Sequence, residues 1–271
     1  MFRLFVLALV LSVGHGADVS RRGHSWIGTG HSRIVGGEVA DPGQFPYQIS
    51  FQYFGSHRCG GSILDELHIV TAAHCLDFIN LQDTEVIAGV VDVIAEEGQR
   101  RSVIRGVQHP DWQGASGQII NDVAVLTLDA PLEFDEFVQP AVLPLDGQQP
   151  NMDPNMCIAS GWGNEFFGGP TSRVLQWVAI GVIPDDECDD LWSADPQNIW
   201  PDLEICAGDR GGGQSVCQGD SGGPLYCEAE DGNRYLYGAT SWGSSSCGEA
   251  RPAVWAELPT FLEWILEQTR V

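Results

Sequence analysis

The 271-residue chain carries 13 basic side chains, all of them arginine, against 37 acidic ones, for a formal net charge of −24. Such a surface repels nucleic acid and anionic membranes, so the charge excludes partners of both kinds and favours solubility. Eight cysteines, an even number, fit an oxidised framework of disulfides. Zinc binding is the alternative use of cysteine, but the chain contains no Cys-x-x-Cys, which argues against it.

The first 33 residues have the layout of segments that are removed during processing. Residues 1–16 contain one arginine, an apolar run from Leu4 to Leu11 and then small residues, as in a secretory signal peptide. The apolar run is too short to span a bilayer, which argues against the alternative of a membrane anchor. Residues 17–33 lack cysteine and predict a propeptide that ends at Arg33. The mature protein is therefore expected to be secreted and extracellular, without a membrane partner.

After residue 33, short runs of β-branched and aromatic residues recur between turn signals. They lie at residues 47–53, 85–88, 102–107, 123–128, 174–180, 235–241 and 253–257. This pattern predicts short antiparallel strands. Five prolines between residues 131 and 154 mark a connector between two halves of the chain. Only residues 260–270 have helical spacing, so the pattern predicts an all-β protein with one C-terminal helix.

The strongest chemical signal is the run Gly-Asp-Ser-Gly-Gly-Pro at 219–224, which places Ser221 among residues whose backbone N–H groups can converge on a carbonyl oxygen. A serine hydroxyl is a poor nucleophile at neutral pH and needs a base, together with a group that orients the base. His74 in Thr-Ala-Ala-His-Cys and Asp122 in Asn-Asp-Val-Ala-Val-Leu supply both, in the chain order His, Asp, Ser. Taken singly, the three segments also fit a core histidine, a solvated cap and a turn.

Three further segments complete a pattern: Ile-Val-Gly-Gly at 34–37, Gly-Trp-Gly at 161–163 and Ser-Trp-Gly at 241–243. With them the chain resembles the chymotrypsin/trypsin family of serine endopeptidases over residues 34–271. The resemblance implies two packed six-stranded antiparallel β-barrels, the first at about 34–135 and the second at about 155–258, and a helix at about 260–270. The active site would lie in the cleft between the barrels.

The resemblance also implies the role of each catalytic residue. Ser221 would be the nucleophile, His74 the general base and Asp122 the group that orients His74. The backbone N–H groups of Gly219 and Ser221 would form the oxyanion hole. No cofactor is required. Asp92, Glu96 and Glu97 lie where the family has a calcium loop, but Val90 replaces a ligand there, so no metal site is expected.

The specificity pocket implied by the resemblance has its floor six positions before Ser221, at Ser215. Trypsin-like members carry an acidic residue at this place, and a pocket without it would bury a basic side chain unpaired, at a high cost. We therefore expect a preference for apolar side chains before the cut. Ala253 replaces the family's usual glycine, which favours Leu, Met or Phe over Trp. The predicted pocket residues are Ser215, Val216, Ser241, Trp242, Gly243 and Ala253.

Activation and disulfide pairing also follow from the resemblance. Cleavage after Arg33 by a trypsin-like protease would free the α-amino group of Ile34, which would pair with Asp220 and order the oxyanion hole and the pocket. Spacing alone leaves 105 pairings of eight cysteines open. The resemblance implies the four pairs Cys59 with Cys75, Cys157 with Cys227, Cys188 with Cys206, and Cys217 with Cys247.

These expectations describe a secreted, zymogen-activated serine endopeptidase that is a monomer and has a digestive role. Its partners would be protein or peptide substrates, the activating protease and protein inhibitors of proteases. The alternative from another class is a non-catalytic homologue that uses the fold as a binding scaffold. Among enzymes, the alternative is an elastase-like or collagenolytic specificity.

Overall fold

The computed structural model describes residues 36–114, 117–145 and 147–270. In that part of the chain, strands dominate and two short α-helices occur. The strands are β1 (Glu38–Val39), β2 (Gln48–Tyr53), β3 (Ser56–Ile63), β4 (His68–Thr71), β5 (Thr84–Ala88), β6 (Gln99–Gln108), β7 (Ala124–Leu128), β8 (Cys157–Gly161), β9 (Gln176–Ile183), β10 (Glu204–Gly208), β11 (Pro224–Glu228), β12 (Arg234–Trp242) and β13 (Ala253–Glu257). The helices are α1 (Asp185–Trp192) and α2 (Leu262–Gln268).

The first barrel closes in the order β2-β3-β4-β7-β6-β5, and its neighbouring strands are antiparallel. Closure leaves no unpaired edge, so each strand can bury an apolar face without exposing a ladder of backbone groups. The interior holds fully buried apolar side chains, among them Ile49, Phe51, Ile69 and Leu126.

The second barrel runs in the order β9-β10-β13-β12-β11-β8 and is closed by the pairing of β8 with β9. Strand β1 adds to it by pairing with β9, where Glu38 lies opposite Trp177. The residues that precede the first barrel in sequence therefore attach to the second barrel. Together the two barrels confirm the predicted all-β fold.

The helices differ in part from the expectation. The C-terminal helix is present, but its α-helical part is confined to α2, because a 3-10 turn at Leu258–Phe261 with Pro259 near its start precedes it. Helix α1 was missed by the sequence analysis. Its first turn carries three acidic residues, which interact favourably with the positive end of the helix dipole, and only Cys188 and Trp192 are buried. In the described part of the chain, no helix is long and apolar enough to cross a membrane.

Disulfides and polar contacts fix the parts of the fold that surround the cleft. The four disulfides have the pairing implied by the resemblance. Between the barrels, Ser160 Oγ donates to Gln48 Oε1 at 2.7 Å, and the Gly60 amide donates to the Ser221 carbonyl at 2.8 Å. The second contact joins the segment that contains Ser221 directly to β3 of the first barrel.

Candidate active site

His74 and Asp122 are brought together by the pairing of β4 with β7, in which Thr71 lies opposite Ala124. His74 lies in a 3-10 turn just after β4, and Asp122 lies two residues before β7. His74 Nδ1 is 2.7 Å from Asp122 Oδ2, and the His74 amide donates to Asp122 Oδ1 at 2.8 Å. Because the carboxylate can only accept, Nδ1 carries the proton, and Nε2, which lies 3.9 Å from Cys75 Sγ, is unprotonated and can act as a base.

Ser241 gives the Asp122 carboxylate a third donor. Its Oγ donates to Asp122 Oδ2 at 2.5 Å, and Asp122 is only 1% exposed. Sequence analysis predicted Ser241 as a pocket residue, and the structure places it on the pocket and against Asp122 at once. The orientation of the carboxylate is thus fixed by both barrels.

The pKa of His74 is the result of opposing effects. Burial lowers it, but the charge of Asp122 and the hydrogen bond to it raise the pKa more, so the net shift is upward. Asp77 adds to the rise, and Arg58 opposes it. A carboxylate beside the ring stabilises the imidazolium, which is the form that a general base adopts after it accepts a proton.

Ser221 and Gly219 lie on the loop between Cys217 and the start of β11 at Pro224. Gly219 has a φ of +97°, a region that side chains rarely allow. Among the described residues, no acceptor bonds to the amide N–H groups of Gly219 and Ser221, while the Gly222 amide donates to the Thr240 carbonyl at 2.7 Å. The two predicted oxyanion donors are therefore not consumed by contacts within the described chain.

His57 is a functional candidate that sequence analysis missed. Its Nε2 is 2.9 Å from the Gly219 carbonyl oxygen, and its Nδ1 is 2.8 Å from Ser50 Oγ. A carbonyl can only accept, so Nε2 carries a proton, and the neutral ring then accepts the Ser50 hydroxyl at Nδ1. Burial lowers the pKa of His57 to about 4, in agreement with a neutral ring. By holding the Gly219 carbonyl, His57 fixes the peptide plane of the loop beside Ser221.

Asp220 is completely buried and is held by backbone amides. Its Oδ1 accepts from Gly163 at 2.8 Å, and its Oδ2 accepts from Cys217 at 2.9 Å. Burial raises the pKa of Asp220 to about 6, and the two amide bonds oppose that rise. A Cβ atom on Gly161 or Gly163 would collide with this carboxylate, which gives the Gly-Trp-Gly segment a structural reason. Arg33, the predicted cleavage position, and Ile34, whose freed ammonium group was predicted to pair with Asp220, lie outside the described residues.

Beside Ser221 lies a cavity of about 220 Å³, and all six predicted pocket residues line it. Ser215 is 8% exposed, and its Oγ donates to the Val216 carbonyl at 3.0 Å. No carboxylate is among the lining residues. Ala253 faces Gly243, because a Cβ built on Gly243 would lie 3.4 Å from both the Cα and the Cβ of Ala253. Gln218, Ser244 and Ser245 also line the cavity and were not predicted.

Two sets of residues of metal-ligand type occur near the first barrel, and several of their ligand atoms form other contacts. The ligand atoms of Cys59, His74 and Cys75 lie within 4.8 Å of one another, but the two sulfurs are bonded together and offer no thiolate. In the loop compared with a calcium site, Asp92 pairs with Arg173 at 2.7 Å, and Glu96 accepts from the Val91 amide at 2.8 Å.

Comparisons with known proteins agree with this geometry. A family model described as Trypsin matches residues 34–265. The chain is similar to "Serine proteinase stubble" of Drosophila melanogaster, with 36% identity over 252 residues that cover 88% of this chain and 31% of that protein. It is also similar to "Trypsin-1" of Astacus astacus, with 37% identity over 241 residues that cover 86% of this chain and 98% of the relative. The chain therefore spans about a third of the first relative and nearly all of the second.

Proposed function

Since the chain belongs to the trypsin family of serine endopeptidases, we propose that it cuts peptide bonds after apolar side chains, with a preference for Leu, Met and Phe. The observation that carries this proposal is the cavity beside Ser221, which has Ser215 at its predicted floor and no carboxylate among its lining residues. A Lys or Arg side chain would be buried there without a partner. An apolar side chain would gain about 25 cal/mol for each Å² of surface that it removes from water.

The proposed reaction uses residues whose positions are described above. Ser221 Oγ attacks the scissile carbonyl carbon, His74 Nε2 accepts the hydroxyl proton, and Asp122 stabilises the resulting imidazolium. The amides of Gly219 and Ser221 donate to the oxyanion, and each such donor is worth about 3 kcal/mol of barrier. His74 then returns the proton to the leaving amine. Water, deprotonated by His74, hydrolyses the acyl-enzyme and regenerates Ser221.

We further propose that cleavage after Arg33 activates the enzyme. Among the described residues, Asp220 is a buried carboxyl group with backbone amides as its partners and no cationic side chain beside it. A new ammonium group on Ile34 would supply the missing charge and hold the loop 217–221 in place. Because a paired amine has a raised pKa, activity should be lost as pH rises through that value.

A secreted, digestive role fits the remaining features. The residues after the proposed cleavage contain nine arginines and no lysine, so a trypsin-rich fluid finds few sites at which to cut the mature chain. The four disulfides suit an extracellular medium. Protein substrates and protein inhibitors are the partners that belong to this role.

The test is to treat the secreted precursor with trace trypsin, inhibit the trypsin selectively, and map cuts in a mixed peptide library by mass spectrometry. We expect cuts after Leu, Met and Phe from the wild type, and none from Ser221→Ala or from the activation-blocked Arg33→Gln. Cuts after Lys or Arg would refute the apolar pocket. A chain with a verified Ile34 terminus that neither cuts nor reacts with an organophosphonate at Ser221 would instead be a binding scaffold.

A further inference from the structure

Glu204 is a buried acidic residue that the proposed reaction does not use. It opens β10 and is only 3% exposed. Its Oε1 accepts from Trp242 Nε1 at 2.8 Å, and its Oε2 accepts from the Trp200 amide at 2.8 Å. Among the described residues, no arginine or histidine forms an ion pair with it. A neutral acceptor would bond the indole with a smaller desolvation cost, so the acid needs a reason beyond packing.

Its partner, Trp242, is an aromatic side chain on the wall of the cavity beside Ser221. The indole is half-buried and is supported from a second side by Trp192, whose ring centroid is 4.8 Å away in an edge-on arrangement. Trp192 in turn lies beneath the Arg251 guanidinium at 4.7 Å. The disulfide Cys188–Cys206 ties α1, which carries Trp192, to β10, which carries Glu204. The Trp242 indole is thus held at its Nε1 atom by Glu204 and across its ring by Trp192.

We propose that Glu204 is a positioning residue that fixes the Trp242 indole as a contact surface for substrate residues preceding the cut. The inference rests on the proposed role of the cavity in holding the residue at the cut. On this assignment, the residues before it extend along the wall of the cavity that contains Ser241, Trp242 and Gly243, where an apolar side chain among them would meet the indole. Peptides with apolar residues on the acyl side are the substrate class that depends on Glu204.

The groups around Glu204 make this contact sensitive to pH. Burial raises the pKa of Glu204 to about 7, the two N–H donors oppose the rise, and the charge of Asp122 adds to it. Asp185 on α1 and Glu257 on β13 line the same neighbouring cavity of about 350 Å³ as Glu204, and Asp202 precedes β10. Of these acidic groups, Asp122 is the one whose charge favours the neutral form of Glu204. The ionised carboxylate of Glu204 accepts both N–H hydrogen bonds. In the protonated form a hydroxyl group faces an N–H donor, which weakens the hydrogen bonding, so the Trp242 indole is held less tightly.

The experiment compares kcat/KM for a long substrate, the nitroanilide of acetyl-Val-Ala-Val-Leu, with that for a short one, the nitroanilide of acetyl-Leu. The variants are Glu204→Gln and the matched control Glu257→Gln, which removes a neighbouring carboxyl group that does not bond Trp242. Glu204→Gln replaces a charged hydrogen bond to Trp242 with a neutral one. We therefore expect the ratio of kcat/KM for the long substrate to that for the short one to fall about fivefold, mostly through KM of the long substrate. Glu257→Gln should keep the wild-type ratio.

The pH profile is the second readout and does not depend on a variant. From about pH 6 to about pH 8, the wild-type ratio should rise severalfold as Glu204 ionises, while titration of His74 cancels because it affects both substrates. The ratio for Glu204→Gln should stay flat. A flat wild-type ratio, or an equal loss on both substrates in Glu204→Gln, would overturn the inference. Phosphonate labelling of Ser221 in the same samples tests the proposed function separately.

Discussion

At the scale of single residues, the buried carboxyl group of Asp220 depends on the absence of a side chain at Gly163. A Cβ at that position would overlap three atoms of the carboxyl group. Gly163→Ala should therefore displace Asp220, break the bond from the Gly163 amide and misplace the oxyanion donors, which lowers kcat by about 100-fold or more. Steady-state kinetics on the activated enzyme measure this effect.

The matched control for that substitution is Gly211→Ala, whose new Cβ would make only an ordinary contact of 3.4 Å with Asp209. Its kcat should stay close to that of the wild type. If Gly163→Ala were as active as the control, the Gly-Trp-Gly segment would have no part in placing Asp220.

The contact between Ala253 and Gly243 yields a prediction on pocket depth. Removing the Ala253 methyl group in Ala253→Gly should deepen the cavity and raise cleavage after Trp relative to cleavage after Leu by roughly tenfold, the value of about one methyl-sized contact. Ala256→Gly is the control, because residue 256 is on the same strand but packs in a different core cluster. An unchanged Trp-to-Leu ratio in Ala253→Gly would rule out a shallow pocket.

Local motifs in the sequence proposed which residues belong to the site, whereas contacts that join the two barrels were not foreseen. The structure joins His74 to Asp122 and places all six predicted pocket residues on one cavity. The contact of His57 with Gly219 spans 162 positions, and that of Ser241 with Asp122 spans 119. Neither contact could be predicted from its own segment, even though Ser241 lies in a recognised motif, because the partner is supplied by the other barrel.

At the scale of elements, runs of β-branched and aromatic residues predicted strands well where the packing of a segment agrees with the strand propensity of its residues. Strand β13 has the predicted bounds of 253–257. Strand β3 was missed, because its Cys-Gly-Gly segment lacks the side chains that favour strands. These glycines let β3 approach the loop that contains Ser221, as the bond from the Gly60 amide shows. Helix α1 was missed because its run of acidic residues has no apolar periodicity.

The disulfides give a prediction for individual elements. Cys188–Cys206 spans 18 positions and joins α1 to β10, so Cys188→Ala with Cys206→Ala should lower the free energy of unfolding by about 3 kcal/mol. Cys157–Cys227 spans 70 positions, and its double replacement should cost about 4 kcal/mol, because a longer loop in the unfolded chain is released. Urea titration of the four-disulfide protein and both variants measures the order. Equal stability of all three proteins would contradict it.

At the scale of the whole molecule, the two barrels followed from the recognised motifs, but the pairing of β1 with β9 did not. Two residues, Glu38 and Val39, are too few to show alternation, and only the assembled fold brings them beside β9.

The excess of acidic side chains is the second property of the whole molecule. Several arginines are already paired on the surface, including Arg100 with Glu85 and Arg210 with Glu187. In the described part of the chain, acidic side chains far outnumber arginines, so most of these acids have no arginine partner of their own.

Buried titratable groups determine how stability depends on pH. Burial raises the pKa of Glu204 and of Glu257 to about 7, so the native state keeps protons that the unfolded state releases above about pH 4.5. Their contribution is lost as pH rises from about 4.5 to about 7. His57 acts in the opposite direction, because its pKa of about 4 makes the unfolded state bind the extra proton up to about pH 6.5. The raised pKa of His74 adds to the loss at higher pH.

Three buried acids with raised pKa values, Glu204, Glu257 and Asp220, act against one histidine with a lowered pKa, so the protein should be more stable near pH 5 than near pH 8. We expect the free energy of unfolding to fall by on the order of 3 kcal/mol over that range, as measured by urea titration at each pH. Glu257→Gln removes one of the three acids and should flatten the slope by about half, because the raised pKa of Glu257 acts over the range from about pH 5 to about pH 7. Sodium chloride should recover part of the loss near pH 8, because it screens the repulsion among unpaired carboxylates. A free energy that is constant or rises with pH would show that acid repulsion and carboxyl burial do not control the stability of this fold.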